Sequence, residues 1–217
     1  TSGHTIRLTP GELLNSEQMA NQEASGNPHY YCYTLKGNGD EVWQPRFTYY
    51  GFRYVQVEGA VPENAENPFD LPVIKGLRFL HNRNSNPMNG SFTCSDPLFN
   101  RIDSLILWAI KSNMQCVITD CPHREKLGWS EVVHLMGNSV NYNYQIYNLY
   151  RSTVMSTIDA QCADGGLPEM IPGYLVDAEF LIPEWKSASV IVPWQHYKWY
   201  GDMNTMREAY DMMKKYI

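Results

Sequence analysis

The sequence predicts a multidomain β plus all-α chain, and three observations carry that prediction. Up to about residue 90 the apolar residues alternate or run in β-branched and aromatic clusters. A turn-rich stretch then intervenes, and beyond it apolar residues recur with the helical period. The expected division is residues 1–90 as an antiparallel β-sandwich portion and 91–217 as a helical domain.

In the first part, His4-Thr5-Ile6-Arg7-Leu8 alternates and Tyr30-Tyr31-Cys32-Tyr33-Thr34-Leu35 is β-prone. Phe47 through Val57 is one long aromatic and β-branched run, and Leu77-Arg78-Phe79-Leu80 reads as a closing strand. Lys36-Gly37-Asn38-Gly39-Asp40 is a loop by composition. These strands fit antiparallel pairing, not a parallel α/β sheet.

Asn82 to Ser91, with Pro87 and Gly90, forms the boundary. Ser95 followed by Asp96-Pro97 then marks a helix start, with Pro tolerated in the first turn. Leu98, Ile102, Leu105, Ile106 and Ala109 make an apolar stripe along that helix. Further helices are expected from Ser130, read as an N-cap, to about Tyr144, and from Tyr147 to Cys162. Another runs from Ser187 to Tyr200, stopped by Gly201, and a last one follows Asp202. Pro193 should start or kink its helix.

The chain has 217 residues and a formal charge of -6, with no basic face to suggest nucleic acid. No apolar stretch approaches the roughly 20 residues of a membrane span, and nothing at the start resembles a signal peptide. Both ends read as cut, so a fragment of a larger polypeptide is expected. Cys32, Cys94, Cys116, Cys121 and Cys162 are odd in number and scattered, and are read as mainly free, buried thiols.

The stretch Asp120-Cys121-Pro122-His123-Arg124-Glu125-Lys126-Leu127-Gly128-Trp129-Ser130-Glu131 concentrates the chemistry. An acid beside an aromatic wall, with a cation to orient a ligand, is equipment for protonating a leaving group. Spacing alone leaves alternatives open. Glu125 fits a solvated acid paired with Arg124 or Lys126 as well as it fits a proton donor. Asp120 could brace the turn before Pro122, and Arg124 could form a structural ion pair. Glu131 is stabilised by the helix dipole whatever else it does, and His134 shares its face. Trp129 borders the polar loop, and Trp185, after Pro183-Glu184, reads as a loop aromatic. Trp43, Tyr49, Tyr50, Trp194 and Trp199 read as packing residues. Glu169 and Asp177, in and after a Gly/Pro loop, are weaker pocket candidates. A thiol hydrolase built on Cys121 with His123 or His134 lacks a third orienting group. Asp120, Cys121 and His123 have no recognised metal-cage spacing, so no metal or cofactor is expected.

The loop and its surroundings resemble the bacterial α-L-rhamnosidases of glycoside hydrolase family 78. The resemblance is carried by Phe47 through Tyr54, Ser95-Asp96-Pro97, Ser112-Asn113-Met114-Gln115, Thr119 through Trp129, Trp185, Val192-Pro193-Trp194 and Tyr200-Gly201-Asp202. It implies a β-sandwich followed by an incomplete (α/α)6 barrel, and inverting hydrolysis of terminal α-L-rhamnosyl groups. By that resemblance Glu125 is the general acid and Asp120 and Arg124 hold sugar hydroxyls. Trp129 and Trp185 line the pocket, and the general base comes from a later loop past Ile217. Many relatives carry Gly-Asp shortly after the Gly-Trp pair. Here Ser130-Glu131-Val132 follows, so Glu131 stands in for that Asp as a substrate-binding residue. The implied partners are an α-L-rhamnoside and the remainder of the parent polypeptide. Compartment is left open, with a periplasmic or secreted location favoured over the cytoplasm. The competing reading is a non-catalytic carbohydrate-binding module.

Overall fold

The computed structural model describes residues 2–26, 28–173 and 182–217. The chain divides into two compact units, Thr1–His81 with Pro122–Glu125, and Asn82–Cys121 with Lys126–Ile217.

The first unit is built on strand β1 (Thr5–Gly11). Short strands β2 (Leu13–Leu14) and β3 (Ala20–Asn21) form a small antiparallel ladder after it. Strands β4 (Tyr31–Thr34) and β5 (Tyr54–Glu58) flank β1, giving a three-stranded antiparallel sheet of order β4-β1-β5. The register places Leu8 opposite Tyr31 on one side and Val57 on the other, so apolar side chains share a face. The loop after β4 is held by one acid. Glu41 accepts from the Tyr33 hydroxyl at 2.7 Å and from the Lys36 and Gly37 amides. Those bonds pull its carboxyl down to about 2.

Two strand expectations need correction. Of the long run from Phe47 to Val57, only residues 54–57 lie in a strand, as the start of β5. Phe47 takes a φ of 58°, which extended backbone cannot accommodate, and the Gly51 amide donates instead to the Pro122 carbonyl at 2.7 Å. Leu77–Leu80 forms no strand. Phe79 packs by its ring, edge-on to Phe52 with centroids 5.2 Å apart. The last ladder lies upstream, where β6 (Val61–Pro62) meets β7 (Val73–Ile74) in parallel, against the expectation of antiparallel pairing.

The second unit is helical. Helix α1 (Pro97–Asn113) is capped by Asp96, whose carboxylate accepts from the Leu98 amide at 2.8 Å; Ser95 is not the cap. Its apolar period is as expected, but the stripe is not core. Leu98, Ile102, Leu105 and Ile106 remain exposed, and only Ile110 is buried. Helices α2 (Ser130–Asn143) and α3 (Tyr147–Ala160) follow, then a single turn α4 (Pro183–Lys186), α5 (Ala188–Tyr200) and α6 (Met203–Tyr216).

The core lies among α2, α3, α5 and α6, with Val140, Tyr144, Ile146, Tyr150, Val154, Val192, Ala209 and Met212 fully or almost fully buried. Burying aromatic and aliphatic side chains at this density supplies the main stabilisation, roughly 1.5–3 kcal/mol for each large side chain removed from water. Two tyrosine hydroxyls of the core are matched. The Tyr150 hydroxyl donates to the Val133 carbonyl and the Tyr200 hydroxyl to Asn141, each at 2.8 Å. Pro193 neither starts α5 nor divides it; the helix runs from Ala188 through it. The missing amide costs one bond, and packing against α2, α3 and α6 outweighs that loss. Gly201 ends α5 in the left-handed conformation, φ 68°, and Asp202 caps α6 through the Asn204 amide.

The five cysteines form no disulfide among the described residues. Contrary to expectation they are not buried: Cys32, Cys116 and Cys162 are exposed, and Cys94 and Cys121 half-buried. No helix among the described residues is long and apolar enough to cross a membrane.

Candidate active site

The base of the signature loop is closed in the helical unit. The Asp120 amide donates to the Leu127 carbonyl at 3.1 Å, and the Leu127 amide donates back to Asp120 Oδ1 at 3.0 Å. One Asp thus satisfies two groups of a sharp turn, the bracing role left open by the sequence. Lys126 adopts φ 55° here, and burial pushes its ammonium below the ordinary lysine range.

Pro122–Glu125 belongs to the sheet unit. Two glycines make room for it. A Cβ on Gly51 would lie 2.6 Å from Pro122 Cγ, and one on Gly26 would press on the Arg124 stem at 3.2 Å. Arg124 Nη2 and Glu125 Oε1 stand 2.6 Å apart, with the Glu125 side chain 31% exposed. Arg124 and Glu125 are therefore brought together as the sequence suggested. The His123 Nδ1 is buried and makes no hydrogen bond among the described residues.

Downstream, Trp129 and Trp185 meet edge to face, with centroids 6.5 Å apart and planes at 78°. Trp185 sits on the helical turn α4, not on a loop, because Pro183 at its first position favours helical backbone. Ser130 is not the N-cap but the first residue of α2, following Trp129. Its hydroxyl turns instead to two carbonyls, those of Glu169 and Trp185, each at 2.8 Å. The segments on either side of Trp129 and Met170 pair as a short antiparallel bridge. The Ser130 amide donates to Glu169 and the Ile171 amide to Gly128, both at 2.9 Å. Gly128 is needed for this approach, since a Cβ there would stand 2.4 Å from the Ile171 carbonyl oxygen.

Glu131 is half-buried in the first turn of α2. His134 Nε2 lies 3.0 Å from the Glu184 carbonyl. Glu169 is almost fully buried, and among the described residues its Oε1 has no hydrogen-bond partner; Trp185 Nε1 is likewise buried and unpartnered among them. Asp177 lies outside the described residues.

One polar cluster was missed by sequence reasoning. His196 is completely buried, against the rings of Tyr147 and Tyr200, with Nε2 3.3 Å from Asp202. Asp202 also accepts from the Tyr147 hydroxyl at 2.7 Å. Asp202 was legible as a helix start, but nothing in the local pattern sets His196 apart from its helical neighbours.

Comparison with known proteins gives matches over both parts of the chain. Residues 87–217 match the family described as the bacterial alpha-L-rhamnosidase 6 hairpin glycosidase domain. Residues 1–75 match the bacterial alpha-L-rhamnosidase concanavalin-like domain. An alpha-L-rhamnosidase of Formosa agariphila is 31% identical over 219 residues, covering 99% of this chain and 23% of the relative. Among solved structures, the alpha-L-rhamnosidase from Dictyoglumus thermophilum is similar with a TM-score of 0.85 and 31% identity. That match covers 100% of this chain and 24% of the other. The Streptomyces avermitilis alpha-L-rhamnosidase complexed with L-rhamnose is similar with a TM-score of 0.84 and 28% identity, over 100% of this chain and 20% of that one. The chain thus spans about a quarter or less of the length of these relatives.

Proposed function

Because the chain belongs to the bacterial α-L-rhamnosidase family, we propose that its protein hydrolyses terminal α-L-rhamnosyl groups from rhamnosides with inversion. On this reading the sheet unit is part of an antiparallel β-sandwich, and the helices are the opening part of an (α/α)6 barrel.

Inversion needs a carboxylic acid to protonate the leaving oxygen and a carboxylate base to activate water, the two roughly 6.5–9.5 Å apart. Glu125 is the acid. Asp120 and Arg124 hold hydroxyls of the sugar, and Arg124 does so with a planar fork suited to two adjacent oxygens. Trp129 and Trp185 form an apolar corner for the C–H face and methyl group of the ring, with Glu131 contributing a further carboxylate. The base is a carboxylate from a later interhelix loop, past Ile217. No cofactor enters this chemistry.

The observation that carries the reading is the match of residues 87–217 to a glycosidase domain, with the acid-bearing stretch Asp120 to Trp129 inside it. Its test is Glu125→Gln in the full-length protein. An aryl rhamnoside with an acidic leaving group needs little protonation and should retain most of its turnover. A rhamnoside with an alkyl or sugar leaving group should lose on the order of 10²–10⁴-fold. Proton NMR of the first product from the unsubstituted protein should show the β anomer. Equal losses on both substrates, or an α first product, would remove Glu125 or the inverting route respectively.

A further inference from the structure

We propose that Glu169 and Trp185 form a receiving pair for one hydroxyl of the bound sugar, Glu169 Oε1 accepting and Trp185 Nε1–H donating. This rests on the rhamnoside reading above and adds to it a residue, Glu169, and a role, hydrogen bonding by the Trp185 indole.

The starting point is an unmet demand. Buried polar atoms are almost always hydrogen-bonded, and those that are not concentrate where a ligand or water supplies the partner. Glu169 is 5% exposed, and its Oε1 has no partner among the described residues. Trp185 Nε1 is also buried without a partner among the described residues. The first is an acceptor and the second a donor, yet they do not bond to each other.

Neither residue is free to move away and satisfy itself. The Glu169 carbonyl takes both the amide and the hydroxyl of Ser130, at 2.9 and 2.8 Å. Its neighbours Met170 and Ile171 are bridged to Trp129 and Gly128. The Trp185 carbonyl lies 2.8 Å from the same Ser130 hydroxyl, and its ring abuts Trp129. Two main-chain segments are thus tied to one serine beside two indoles, while their side chains keep complementary polar atoms unused. A sugar hydroxyl is donor and acceptor at once and satisfies both.

The test is calorimetry of L-rhamnose with the full-length protein, unsubstituted and as Glu169→Leu, Trp185→Phe and the double variant, alongside thermal unfolding of each. Either single substitution should weaken binding roughly 10- to 100-fold. The double variant should be little worse than one single, because both groups serve the same hydroxyl. Thermal midpoints should not fall for Glu169→Leu, since its orphan oxygen contributes no bond in the empty fold. Should that variant fail to fold, Trp185→Phe, which keeps an aromatic ring beside Trp129, carries the comparison. Rhamnose binding by every variant as tightly as by the unsubstituted protein overturns this pair and leaves the rhamnoside reading standing. A lowered midpoint with unchanged affinity assigns Glu169 to structure and likewise overturns it. Absence of rhamnose binding by the folded, unsubstituted protein sinks both.

Discussion

The Arg124 guanidinium meets the Glu125 carboxylate at 2.6 Å while keeping more than half of its own side chain exposed. An ion pair this wet contributes little to folding, about 0–1 kcal/mol. If Arg124 orients a sugar, its removal should therefore separate function from stability. Arg124→Gln should leave the thermal midpoint within a few degrees while kcat/KM falls on the order of 10²-fold. Arg124→Lys should not rescue, because a point charge cannot reproduce the planar fork. Rescue by Lys would show that only the charge matters.

The closest approach in the helical unit's site concerns Gly128 and the Ile171 carbonyl, 2.4 Å from where a Cβ would stand. The obstacle is backbone, and it cannot rotate aside. Gly128→Ala should force the two segments apart, costing about 1–3 kcal/mol by overpacking. It should also disturb Trp129, Glu169 and Trp185 together, since the bridge that holds them is the part displaced. Urea unfolding and rhamnose binding measured on the same variant should both worsen. Loss of stability with intact binding would show that the bridge is not what positions the site.

Much of this organisation was legible in the sequence because it depends on local rules. Gly201 and Asp202 announce the break between α5 and α6, and the helical period finds α1, α2, α3 and α6 to within a few residues. The first half of the aromatic run from Phe47 misled, because its propensity is real but its ladder is not: one residue at positive φ and one amide diverted to Pro122 keep residues 47–52 out of the sheet, while the run's end pairs as β5. Side-chain destinations were the other gap. Ser130 has the chemistry of a cap and sits where a cap is expected, but it is spent on two carbonyls contributed from distant segments. The α1 stripe shows the same limit from the opposite side, since periodicity identifies a face without saying what covers it. For the signature loop, residue types suggested acid chemistry, while the paired and braced geometry of Arg124, Glu125 and Asp120 required coordinates.

The His196 cluster predicts a pH dependence of stability whose sign can be worked out. Burial is the largest influence and pushes the imidazole below its ordinary value of 6.5; the Arg151 charge adds to that, and Asp202 opposes it. Asp202 itself is held well below the usual carboxylate range by the Thr205 and Tyr147 hydroxyls, so it stays anionic through this window. Tyr147 and Tyr200, the other titratable groups against the ring, are both raised and stay neutral. The folded state therefore holds His196 neutral where the unfolded chain already binds a proton. Its contribution is fully present above pH 6.5 and is lost as pH falls toward the lowered folded value, with a slope of at most about 1.4 kcal/mol per pH unit. His196→Gln removes this titration while leaving His4, His29, His81, His123 and His134 in place. Urea midpoints at about pH 7.5 and about pH 5 should differ less for the variant than for the unsubstituted chain, even though the variant starts from a lower value. Parallel decline of both would place the acid sensitivity elsewhere in the fold.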